Sequence, residues 1–145
     1  CMNIIDDCLL EEYFINLRDV IIHQNFPWHF SSNVAIPNEE KSSPGIFYHI
    51  MYENELLQRG SIGDPYLGVP FKPLLECLNI AVLLRIRVNL NHRLPKPYVS
   101  EFHYDKRDLL QHMNDEWNIS IFYINTNIGY TELEDGTKIE SRSVF

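Results

Sequence analysis

Positive charge is scarce in this chain: 12 Lys and Arg face 20 Asp and Glu, for a formal net charge of −8 and a pI near 5.1. A protein that grips a phosphate backbone needs a basic face to displace counterions, so nucleic acid is not a favoured partner. Long apolar runs are lacking too. No stretch reaches the roughly 20 apolar residues that carry a helix across a bilayer, and the densest run, Ile80 to Leu84, is cut by Arg85. A soluble protein with no membrane partner is the expectation. Cysteine is sparse: Cys1, Cys8 and Cys77 form no CxxC pair and are odd in number, which suggests neither a disulfide framework nor a zinc knuckle. A reducing compartment, the cytoplasm, is therefore expected. The first residues carry no basic region followed by an apolar stretch, as a secretory signal would, and there is no internal repeat.

What the chain does have is apolar and aromatic content, 45% and 12% of 145 residues, enough for one domain with a real core. Tyr13, Phe14, Leu17, Val20 and Ile21 recur at helical spacing and predict an amphipathic helix from Leu10 to about Gln24. Phe26 to Phe30 and Asn33 to Ile36 read as extended, because Pro27 and Pro37 disfavour helix at and before them. Phe47 to Tyr52 is aromatic and β-prone, and residues 60–70, rich in Gly and Pro, form a long loop. Phe71 to Asn79 suits a short helix with Pro73 in its first turn, followed by a strand from Ala81 to Leu90. Glu101 to Asp105, Trp117 to Asn125, Tyr130 to Leu133 and Thr137 to Ser141 then read as strands parted by turn residues. A helix followed by many short strands implies an α+β fold, mainly β, with a sandwich or barrel-like sheet.

The triplet His103-Tyr104-Asp105 carries the most chemical information, since side chains at i and i+2 of a strand leave the same face. One imidazole and one carboxylate converging there make two-thirds of the facial triad that holds iron(II) and leaves positions open for co-substrate and oxygen. Alone, the same pair is a solvated strand end.

The order FHYD followed by SIFYINTNIGYTELEDGTKIES resembles the small iron(II) and 2-oxoglutarate oxygenases common in phage and marine microbial genomes, distant relatives of the prolyl 4-hydroxylases. The Tyr-x-Asn-Thr-Asn-x-Gly-Tyr-Thr run from Tyr123 and the Glu-Asp-Gly-Thr-Lys run from Glu134 are its specific part. Looser similarity reaches back through LLRIRVNL, YHIMYE and FPWHF to the first helix. The resemblance implies a double-stranded β-helix (jelly roll) with the N-terminal helix packed on its sheet. It implies a dioxygenase that couples decarboxylation of 2-oxoglutarate with O2 to hydroxylation of a substrate C–H bond, with ascorbate as a supporting reductant. It makes His103 and Asp105 the first two iron ligands and Tyr123 a donor to the co-substrate's distal carboxylate. Asn89 roughly matches a further co-substrate contact. The setting would be cytoplasmic, a host's cytoplasm if the gene is phage-borne.

The chain departs from the pattern at its end. The third ligand, a His, and the basic residue after it that pairs with the co-substrate fall beyond Phe145, so residues 1–145 are expected to be one C-terminally incomplete domain. His112 lies in a polar loop and Arg142 comes too early to substitute. Other tempting residues have plainer readings: His23 as a cation near a helix C-terminus, Arg85 and Arg87 as a solvated or salt-bridged strand face, His49 and Trp28 as packing. The rival to the enzyme is a β-sandwich or jelly roll that binds a partner without catalysis.

Overall fold

In the computed structural model the residues described are 3–32, 44–53, 68–96, 98–100 and 118–143. By their contacts they belong to two compact units, residues 1–26, 65–82 and 116–145 in one and residues 27–64 and 83–115 in the other.

The first unit holds two helices and a hairpin. Helix α1 spans Glu11–Ile22, and its two leading glutamates complement the partial positive charge of the helix start. The predicted periodicity splits in use: Phe14, Leu17 and Ile21 are buried, while Tyr13 and Val20 line a groove beside α2. Helix α2 spans Gly68–Cys77 and encloses Pro73, so it begins earlier than expected and Pro73 stands in its interior rather than its first turn. A proline there cannot donate the bond that residue 69 would accept. What compensates is burial of Phe71 and Leu74. The helix closes on Asn79, whose φ of 49° is the left-handed cap geometry that Asn tolerates.

Cys8 and Cys77 are joined by a disulfide, with Cα atoms 5.9 Å apart and a sequence separation of 69. This overturns the expectation of unpaired cysteines. The two meet only because α1 and α2 pack together, a long-range event that spacing in sequence does not announce. Closing so long a loop removes entropy from the unfolded chain and stabilises the fold by about 4 kcal/mol in the chain-entropy account.

The hairpin pairs β4 (Tyr130–Glu132) with β5 (Lys138–Glu140) in antiparallel register. Gly136 makes the turn, its φ at +84° and its amide donating to the Leu133 carbonyl at 2.9 Å. Both strands are shorter than expected, and residues 118–125, predicted as a strand, run without a sheet partner among the described residues.

The second unit holds a three-stranded antiparallel sheet in the order β1 (His29–Ser31), β2 (Ile46–Glu53), β3 (Arg85–Leu90). The strand expected from Ala81 thus begins at Arg85. Met51 is fully buried and sits at a bulge: Ile50 pairs with Arg87 but Tyr52 with Ile86. The extra residue reverses the alternation, so Glu53, opposite Arg85, shares the face of Tyr48 and Arg87. Gly45, at φ +79°, leads into β2, and a Cβ there would collide with the Phe30 ring.

Candidate functional site

His103 and Asp105, the proposed ligands, lie outside the described residues, as does His112. Asn89 and Tyr123 are described, one in each unit.

Asn89 stands exposed on β3 directly opposite Tyr48. Arg87, two residues away on the same face, lays its guanidinium 4.7 Å from the centre of the Tyr48 ring. His29 flanks that ring from β1, centroids 5.9 Å apart. This sheet face therefore gathers an amide, a phenol, a guanidinium and an imidazole, a set able to donate hydrogen bonds to an anion. Arg87, expected on a solvated or salt-bridged face, is instead half-buried in a cation–π position over that ring.

His49 is buried on the other face, its Nδ1 2.9 Å from the Pro27 carbonyl. A carbonyl only accepts, so Nδ1 carries the proton and donates. The ring also stacks on His29 at 5.8 Å. Packing thus accounts for His49, as expected. His23 caps the end of α1, where its Nδ1 accepts from the Asn25 amide at 3.2 Å.

Tyr123 is half-buried, and its hydroxyl lies 2.6 Å from Thr131 Oγ1. The two oxygens share one hydrogen between them. If Thr131 donates, the phenol keeps its own hydrogen for a second acceptor; if Tyr123 donates, the hydroxyl is spent within the fold. Thr131 is a contact that reasoning from sequence missed, although it stands in the same run of residues.

That run has a second explanation in local backbone chemistry. Asn127 accepts the Gly129 amide on Oδ1 at 2.6 Å, and a Cβ on Gly129 would come within 2.7 Å of that oxygen. Asn127 donates its amide to the Ser141 carbonyl at 3.0 Å, and the Ser141 amide returns a bond to Gly129 at 2.9 Å. Thr126 Oγ1 accepts the Ser143 amide at 3.2 Å. Asp135 accepts the Thr137 amide at 2.9 Å, and bonds from the Thr137 hydroxyl and amide hold its carboxyl below the usual range. Thr126, Asn127, Gly129, Asp135, Gly136 and Thr137 thus each take part in shaping the hairpin and its flanks.

Among the described residues there is no group of three or more His, Cys, Asp or Glu able to hold a metal ion, and no helix long and apolar enough to cross a membrane. The donor types at positions 103 and 105, imidazole and carboxylate, suit iron(II). No family model, curated protein or solved structure matches the chain.

Proposed function

We propose that the chain is an iron(II)- and 2-oxoglutarate-dependent dioxygenase on a double-stranded β-helix, acting in the cytoplasm on a substrate yet to be identified. The observation that carries the reading is the succession of His103-x-Asp105 and the Tyr123-to-Thr131 run, in the order the oxygenases use. His103 and Asp105 would hold the metal. Bound there, iron supplies the activation of oxygen that hydroxylation of a C–H bond requires. The protein's own part is geometric and electrostatic. A Thr131 hydroxyl that donates to Tyr123 would fix the phenol's rotor and aim its hydrogen at a carboxylate, while the ring walls the pocket.

Titration calorimetry with manganese, a redox-silent surrogate, tests the ligand assignment. Weak binding by the 145-residue chain should be lost in His103→Ala. In parallel, any iron-dependent release of succinate from 2-oxoglutarate should be lost in the same variant. Metal binding that survives in His103→Ala sinks the assignment.

The second reading, a non-catalytic jelly roll or sandwich, is favoured by one observation: the hairpin's own backbone needs account for Asn127, Gly129, Asp135 and Gly136. Under it, no succinate is released.

A further inference from the structure

The Cys8–Cys77 bond joins the segment just before α1 to the last residue of α2. Beside it the two helices enclose a groove of about 940 Å³ whose lining includes His23 and Phe26, past the end of α1, and Pro70, near the start of α2. The lining runs along the antiparallel pair, from Tyr13 and Glu76 near the bond to Phe26 and Pro70 at the far end, so the helices are fastened covalently at one end only.

Helix α2 is poorly equipped to persist alone. It has ten residues, an internal proline, no acidic residue in its first turn and no basic one in its last, whereas an isolated helix needs on the order of 12 to 15 good formers even to be marginal. Its hold on the fold is the burial of Phe71 and Leu74 together with the covalent tie. Both sulfur-bearing residues are half-buried rather than sealed in the core, so a soluble thiol can reach them.

We propose that Cys8–Cys77 is a reversible redox clamp: oxidised, it pins α2 against α1 and keeps the groove formed; reduced, it releases α2 without unfolding the three-stranded sheet. The reductant is a dithiol. Its thiolate attacks one sulfur and forms a mixed disulfide, the other cysteine leaves as a thiolate and takes a proton, and the reductant's second thiolate then displaces the protein sulfur. Two electrons and two protons pass to the pair, and the dithiol becomes a disulfide. Bonds that open and close in this way are the usual kind where thiols are otherwise kept reduced. The inference does not depend on the oxygenase reading.

The test uses the whole 145-residue chain. Air-exposed protein, alkylated under denaturing conditions without reductant, should take one adduct, on Cys1; after dithiothreitol it should take three. Hydrogen exchange should then show amides of α1 and α2 exchanging about tenfold or more faster in the reduced form, with those of β2 and β3 unchanged and full protection returning on reoxidation by glutathione disulfide. The double variant Cys8→Ser/Cys77→Ser should match the reduced form and ignore dithiothreitol. Should that variant fail to fold, the reduction and reoxidation cycle of the parent decides. Three alkylated cysteines before reduction, helices indifferent to reduction, or a sheet that loosens as much as the helices would each overturn the clamp.

Discussion

The three-stranded sheet and the β4–β5 hairpin are both antiparallel, yet they are held by different means. The sheet is organised by burial: Ile46, Met51 and Val88 are in the core, and rings from three segments meet across it, Phe30 on Phe47 at 5.2 Å and Phe47 against His92 at 6.4 Å. The hairpin is organised by turn chemistry, with Ile128 wholly exposed and Tyr130 at 43%. Its bonds are those of Asx turns and a left-handed glycine, reinforced on the surface by Lys138 over the Tyr130 ring at 4.6 Å. A short-range structure writes itself into consecutive residues, which is why the hairpin is also where the recognisable motifs lie. A burial-driven sheet leaves only scattered apolar positions.

The comparison can be broken most forcefully in the cores. Met51→Ala in the sheet and Leu17→Ala in α1, at 0% and 1% exposure, should each cost about 2 to 5 kcal/mol, read as a loss in chemical-denaturation midpoint; no single hairpin substitution should match them. Next comes Tyr123→Phe, which removes one hydroxyl at almost constant volume. If Tyr123 serves a carboxylate, 2-oxoglutarate affinity should fall roughly ten- to hundredfold, the equivalent of about 1.5 to 3 kcal/mol. Unchanged affinity with a lowered melting temperature would leave the hydroxyl to Thr131 alone.

Smaller effects sharpen the view of the hairpin. Gly136→Ala meets no neighbour within 4 Å, so its cost is purely that of left-handed backbone, about 1 to 2 kcal/mol, and should appear as faster amide exchange confined to residues 130–140. Asp135 gives the smallest signal. Its folded-state pKa is lowered, first by the Thr137 hydroxyl, so its contribution is present above the unfolded value near 3.8 and fades as pH falls through the folded one. The Thr137 amide proton, followed by NMR, should titrate with a midpoint below 3.8; a midpoint at or above it would show that the bond does not form in solution.

Legibility in the sequence follows the same division. Helix α1 was readable because one face had to be apolar, and β2 because Phe47 to Tyr52 could scarcely be anything but a strand. The turn at Gly136 was readable from Glu-Asp-Gly. The early start of α2 was hidden behind prolines that usually break helices, and the Cys8–Cys77 bond behind a separation of 69 residues. Residues 118–125 have the β-branched and aromatic content of a strand, yet propensity does not supply a partner. Of the proposed site, Asn89 and Tyr123 could be located, and the Tyr123 contact with Thr131 could not have been read from residue types.

The bulge at Met51 acts on side chains as a frameshift acts on codons. Removing that one residue would restore strict alternation and leave Ile50, Tyr52 and Glu53 opposite Arg87, Ile86 and Arg85 as they now stand, so every later position of β2 would keep its face. A single-residue deletion there should thus cost little beyond the buried Met51 side chain it removes, whereas a deletion elsewhere in β2 would turn every later side chain to the other face. The bulge is the one point of β2 at which its count can change and its faces stay as they are.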